Sequence, residues 1–337
     1  MLKKSAIKIL ISIFCLQLVW VNFAYAGQFS NDKLIVVGNQ LKLNNKSIIL
    51  RGVAMGDPYS RVVDHKRNGE LDYLEVKKWQ ANVVRLSVHP GNWLRDNERT
   101  KIILANDIAL ARKNGLIVMV DWHVIGSPDG WFRTNDNDTR GYTFESSLQH
   151  AVDFWEYMAQ NYKDDRGVMF EIWNEPMDLE RRLLWSDFQP AMQTLCDDIR
   201  KNGAENVIVV PGVNMAKDLQ DISKQPMKDN NIMYSWHSYP DNVLRKEWLK
   251  NFANLSDKYP VMVSEWGFSP DSSAKGYGVG KKQKYFEPMT KLIKDKKLHF
   301  TAWTWHGTWQ PPLVKKDWRT PTEWGKLLKK FLSEYKK

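Results

Sequence analysis

The sequence has almost no cysteine, only Cys15 and Cys196 in 337 residues. That excludes a disulfide scaffold and any Cys-x-x-Cys metal or redox motif, so the fold must be held by core packing. Long apolar runs are missing too. The N-terminal one, Ile9 to Val21, falls short of the roughly 20 residues that span a bilayer, and no later stretch is a candidate. No Pro/Ser-rich linker, low-complexity tract or solenoid repeat divides the chain, which points to one large domain. The net charge is +10, but the basic residues are spread rather than blocked, which argues against a nucleic-acid partner. The Lys-rich end, 326–337, carries Leu327, Leu328, Phe331 and Leu332 at helical spacing and reads as a helix with a solvated basic face.

Lys3, Lys4 and Lys8 precede the apolar run, and Ala24-Tyr25-Ala26 matches a small-residue cleavage site. Residues 1–26 are therefore read as a secretory signal, and the rest as a protein exported to periplasm or medium without stable membrane insertion. Removal leaves residues 27–337, with a net charge of about +7, as a single domain. Cys15 leaves with the signal, and Cys196, in an apolar helical pattern, reads as a buried residue.

Eight short β-branched runs alternate with helical patterns: Ile48 to Ala54, Asn82 to Val88, Leu116 to Trp122, Val168 to Trp173, Val207 to Pro211, Ile232 to His237, Val261 to Glu265 and Phe300 to Trp305. The alternation signals βα units on a parallel sheet, and the number eight points to a closed α/β barrel, the (β/α)8 or TIM barrel. Helices are predicted over Asn97 to Asn114, Glu145 to Tyr162, Trp185 to Lys201 and Lys281 to Lys296, with Gly115 and Gly203 as stops. Leu34 to Val37 and Gln40 to Leu43 flank Gly38-Asn39, a tight-turn pair, so a hairpin is predicted to cap the bottom of the barrel.

Tryptophan is abundant, at 16 residues, and many stand beside polar groups near strand ends. The axial C–H faces of a sugar ring pack on aromatic π-faces while the hydroxyls stay free for hydrogen bonds. Part of the excess is core. The Gly/Asp/Asn-rich segment from Ile125 to Tyr142, which carries Trp131, exceeds an ordinary βα loop and is read as a wall of a substrate cleft.

Polar residues collect where the strands end, and barrel active sites are built there. Arg85 lies on the second strand, His123 after the third, Asn174 and Glu175 after the fourth, His237 and Tyr239 after the sixth, Glu265 after the seventh and Trp303 on the eighth. Strands four and seven are nearly opposite in an eight-stranded barrel, so Glu175 and Glu265 can face each other across its mouth. Such a pair suits glycosidic bonds, because one carboxyl protonates the leaving oxygen while the other, ionised, attacks the anomeric carbon or activates water. A carboxylate beside Arg85 and Tyr239 is stabilised as the anion, and one beside Trp173 resists ionising. Asn174 and Glu175 can both line the pocket only if the strand ends there in a bulge or turn, for which Pro176 is suited.

Ile172-Trp173-Asn174-Glu175-Pro176, Asp121-Trp122-His123, Val84-Arg85-Leu86-Ser87-Val88, His237-Ser238-Tyr239 and Ser264-Glu265-Trp266-Gly267 occur in the order and spacing of glycoside hydrolase family 5. The chain resembles a cellulase-type member from Arg51-Gly52 to the Trp303 region. The resemblance implies a (β/α)8 barrel with Glu175 as acid/base and Glu265 as nucleophile of a retaining mechanism. By the same resemblance Arg85 and Tyr239 orient the nucleophile, Asn174 holds the sugar 2-hydroxyl, His123 and His237 line the glycone subsite, and Trp303 is a sugar platform joined to Thr304 by a cis peptide. Trp305 is a competing platform, and the aromatic run Trp305 to Pro312 and the Trp131 loop are where further subsites are expected.

The expected partner is a β-linked polysaccharide or oligosaccharide, first an endo-cleaved β-1,4-glucan, with a mannan or exo-cleaved glucan as alternatives. No cofactor and no metal is expected, and the protein is expected to act as a monomer. Two other classes use the same residues. A zinc hydrolase would take ligands from His89, His123, His237 and Asp121, but lacks a His-x-His or helical His-x-x-x-His pair. A carbohydrate-binding barrel without turnover would not need both glutamates.

Overall fold

The computed structural model describes residues 32–67, 69–133, 145–240, 248, 250, 254–270 and 278–335; residues 1–26 and the side chain of Trp131 lie outside them. The chain opens with β1 (Leu34–Val37), β2 (Gln40–Leu43) and β3 (Lys46–Ser47), an antiparallel sheet with Leu34 opposite Leu43. The barrel strands follow: β4 (Arg51–Ala54), β5 (Val83–Val88) and β6 (Ile117–Trp122). After a two-stranded excursion, β7 (Asp129–Arg133) with β8 (Glu145–Ser147), come β9 (Val168–Glu171), β10 (Ile208–Pro211), β11 (Ile232–Ser238), β12 (Val261–Trp266) and β13 (His299–Ala302). The eight from β4 onward, leaving out β7 and β8, pair in parallel and close on themselves through β13 and β4.

Alternation along each strand sorts its residues. Val84, Leu86, Val118 and Val120 point outward into a core shared with the helices, while Val83, Met119, Met169, Val209, Met233 and Met262 point inward and fill the barrel floor. Flexible methionines suit that tapering interior, and each buried one contributes about 1.5–3 kcal/mol. Leu34 and Leu41 of the hairpin join the same inner cluster, so the hairpin seals the bottom of the barrel. One level above the methionines the inward positions become charged: Arg85, Asp121 and Glu171, all fully buried.

Element ends depart from the expected ones for local reasons. The helix predicted from Glu145 begins at Leu148, because the Ser147 hydroxyl accepts from the His150 N–H as its cap and the three residues before it form β8. The helix predicted from Lys281 is α-helical only over Glu287–Lys296, after a wider π-turn over Lys282–Phe286; Pro288 has no N–H to give to the Lys284 carbonyl. Trp185–Lys201 is helical as predicted, and Gly115 and Gly203 take positive φ at helix ends. Among the described residues no helix is long and apolar enough to cross a membrane.

Candidate active site

The charged layer opens onto the C-terminal rim, and Arg85 organises it. Its Nε donates to Glu171 Oε2 at 2.6 Å, its Nη1 to Glu265 Oε1 at 2.7 Å and to Ser87 Oγ at 3.2 Å, and its Nη2 to Asn174 Oδ1 at 2.7 Å; Nη2 is also 2.9 Å from Asp121 Oδ2. Burial alone would pull the guanidinium pKa down, yet Asp121, Glu171 and Glu265 together raise it. A lone buried cation would cost several kcal/mol, so these carboxylates are a condition for Arg85 being there at all.

Strand β9 stops at Glu171, short of the predicted Trp173, and the chain turns so that Asn174 and Glu175 both reach the pocket. Glu175 is clamped by main-chain bonds to the segment after β6: its N–H donates to Val124 O at 3.0 Å, and its carbonyl accepts from Gly126 N at 3.1 Å. The Trp173 indole donates to Gly126 O at 3.0 Å, holding the same corner. On β12 a bulge does the corresponding work. Trp236 pairs with Val263 and His237 with Glu265, leaving Ser264 as the extra residue. Ser264 and Glu265 consequently both face the barrel axis, and Trp266 returns to the outer core.

Glu265 accepts from Arg85 on one oxygen and from the Tyr239 hydroxyl, at 2.8 Å, on the other, bonds that fix the orientation of its carboxyl group. Glu175 Oε1 lies 2.9 Å from His237 Nδ1. One oxygen of Glu175, one of Glu265 and a ring nitrogen of His237 all fall within 4.8 Å of one another, so the two carboxyl groups meet across a sugar-sized gap. Burial pushes the Glu175 carboxyl up to about 6, against the pull of the charges on His123, Lys217 and Arg85. Burial likewise raises Asp121 to about 7, against Arg85. The site thus pairs a carboxyl whose pKa burial raises to about 6 with one held by two hydrogen-bond donors.

His123 Nδ1 lies 2.7 Å from Asp121 Oδ2, and its ring stacks near-parallel to Trp303 at 5.4 Å. Trp303 follows the last residue of β13, its indole donates to Gln310 O at 3.0 Å, and its peptide bond to Thr304 is cis. Trp305 is not at the cleft. It is fully buried and edge-on to Trp79 in the outer core, because β13 ends at Ala302 and the turn sends the second tryptophan outward. Half-buried Trp309 takes the place beside Trp303, near-parallel at 5.7 Å and stacked on His306 at 4.7 Å. His306 Nδ1 accepts from the Thr308 and Trp309 main-chain N–H groups, which fixes that ring. Of the proposed zinc ligands, His89 is instead a helix cap, its Nδ1 accepting from Gly91 N at 3.2 Å.

Reasoning from sequence gave no role to Glu171, Ser264 or Lys217, and reached Trp309 only as part of the Trp305 to Pro312 run expected to hold further subsites. Glu171 had a signal: an acid at an inward position of an otherwise apolar strand, Val168-Met169-Phe170-Glu171. Ser264 had none, since a bulge shows only in the pairing.

A closed (β/α)8 barrel thus carries two buried glutamates facing each other at its C-terminal rim, where active sites of this fold are built. The cellulase model, glycosyl hydrolase family 5, matches residues 43–308, and the chain belongs to that family. Among curated proteins it is 26% identical over 275 residues to an endoglucanase of Clostridium saccharobutylicum, covering 80% of this chain and 56% of that one. It is 28% identical over 196 residues to endoglucanase A of Butyrivibrio fibrisolvens, covering 56% and 41%. The chain thus spans about half the length of the curated relatives it matches. Among solved structures a β-glucanase of Saccharophagus degradans in complex with cellotetraose superposes with a TM-score of 0.83 at 24% identity, covering 91% of this chain and 94% of that one. The catalytic domain of Thermobifida fusca endoglucanase Cel5A gives 0.72 at 21%, covering 89% and 97%. At these identities the likeness shows the fold.

Proposed function

We propose that the protein is an exported retaining β-glycosidase that cleaves a β-1,4-linked glucan internally, with Glu175 as general acid/base and Glu265 as nucleophile. The observation that carries this reading is the meeting of the Glu175 and Glu265 oxygens within 4.8 Å. Retaining pairs stand about 5–5.5 Å apart, whereas an inverting pair leaves room for a water between acid and base. Glu265, held by Arg85 and Tyr239, attacks the anomeric carbon while Glu175 gives its proton to the leaving oxygen; Glu175 then takes a proton from the water that releases the sugar.

Asn174, whose Oδ1 is taken by Arg85, offers its amide N–H groups to the sugar 2-hydroxyl. His123 and His237 line the glycone side, and Trp303 with Trp309 supplies apolar ring faces. The endoglucanase and β-glucanase names of the relatives favour glucan over mannan. Export rests on the signal-like pattern of residues 1–26. The test is a panel of soluble cellulose derivative, mixed-linkage glucan, xyloglucan and mannan with product sizing. Rapid viscosity loss with mixed oligomers from a β-1,4-glucan supports the reading; release of one product size from chain ends, or cleavage of mannan alone, replaces it.

A further inference from the structure

His237 lies between the two carboxyl groups of the site. Its Nδ1 is 2.9 Å from Glu175 Oε1 and 3.7 Å from Glu265 Oε2, and its Nε2 is 3.0 Å from the Ser264 hydroxyl. Among the described residues these are the polar contacts of the ring. The ring is fully buried, and burial holds its pKa down at about 4, so near neutrality it carries one proton for two nitrogens. A lone pair on Nδ1 would point toward the oxygens of two carboxyl groups, one of which must be ionised to attack. The proton therefore belongs on Nδ1, and Nε2 becomes an acceptor whose donor within reach is the Ser264 O–H.

We propose that Ser264 is a positioning residue: its hydroxyl fixes His237 in the Nδ1–H form, which donates to Glu175 Oε1 and leaves Oε2 to carry the proton exchanged with the substrate. This rests on Glu175 being the acid/base. The bulge on β12 makes the arrangement possible, since a regular strand would turn either Ser264 or Glu265 away from the axis. Thr301, on the neighbouring β13, donates from Oγ1 to the Ser264 carbonyl at 2.6 Å and holds the bulge from the other side. The charged groups acting on this pair are Arg85 from β5, Asp121 from β6 and His123 just after it, Glu171 from β9, Lys217 after β10 and Glu265 from β12. None of them supplies a hydrogen bond to Nε2.

Without the hydroxyl, Nε2 loses its donor and the ring can hold its proton there, with Nδ1 accepting from Glu175. That bond exists only while Glu175 is protonated, so the acid would keep its proton to higher pH. The nitrogen–proton correlation spectrum of 15N-histidine-labelled protein, assigned with His237→Asn, reads the protonated nitrogen directly. We expect Nδ1–H in the natural protein. Ser264→Ala should shift the population toward Nε2–H, move the alkaline limb of kcat/KM up by about half a unit or more and lower kcat on unactivated substrates about tenfold. Ser264→Thr, which keeps the hydroxyl, should restore all three. Natural protein protonated at Nε2, or a folded Ser264→Ala variant with unchanged ring spectrum and unchanged pH limb, overturns the proposal. If Ser264→Ala does not fold, the natural spectrum and the Ser264→Thr variant still decide it. Failure of the natural protein to cut any β-glycan would overturn the functional reading and leave the tautomer result standing, so the two failures are distinguishable.

Discussion

Arg85 and Glu171 are joined across the top of the barrel core by a 2.6 Å hydrogen bond from Nε to Oε2, with both side chains fully buried. The guanidinium is aimed at Glu265 because its opposite edge is tethered in this way. Glu171→Gln leaves Arg85 one carboxylate short in a medium that does not solvate it. Destabilisation of about 3 kcal/mol or more is expected, read from denaturant unfolding, with a loss of kcat from a misaimed Arg85. A variant as stable and as active as the natural protein would show that Asp121 and Glu265 alone hold the cation.

Glu175, raised to about 6 by burial, sets the pH response in the proposed mechanism. The first chemical step needs its acid form, which is dominant below pH 6 and lost as pH rises through it. In kcat/KM on an unactivated oligosaccharide the alkaline limb should therefore turn over near pH 6. A limb well above pH 8 would assign the acid to another group.

Replacing that acid discriminates by leaving group. Glu175→Gln should slow hydrolysis of a natural glycosidic bond by about 10²–10⁴-fold, while glycosylation by an aryl glycoside with an acidic phenol is much less affected. Glu265→Gln should abolish both. Equal losses for Glu175→Gln on the two substrates, measured where glycosylation limits the rate, would count against its role.

Two of the tryptophans after β13, Trp305 and Trp309, should respond in opposite ways. Trp305→Ala removes a ring packed on Trp79 in the outer core and should cost about 3–5 kcal/mol of stability, with KM unchanged in protein that remains folded. Trp309→Ala should leave the melting temperature nearly unchanged and raise KM for long oligosaccharides several-fold more than for short ones. A reversed pattern would place Trp305 at the cleft.

How far the sequence reached can be judged residue by residue. The eight strands and the hairpin were legible because apolar, β-branched runs are bounded by turn residues, and the placement of Glu175 and Glu265 at the rim was legible because each acid follows such a run. Trp305 was misassigned because side-chain direction past Ala302 depends on where β13 stops. The bulge at Ser264 was invisible because it is a property of β11–β12–β13 pairing, not of any local pattern. The anchoring of Arg85 on Glu171 was equally hidden, since β5 and β9 come together only when β6 lies between them.

The stereochemistry of the first product tests the central claim most directly. Proton NMR of the newly formed reducing end, recorded before mutarotation, should show the β-anomer, as two successive displacements at one carbon require. The α-anomer appearing first would mean a single displacement by water, and Glu265 could not then be the nucleophile.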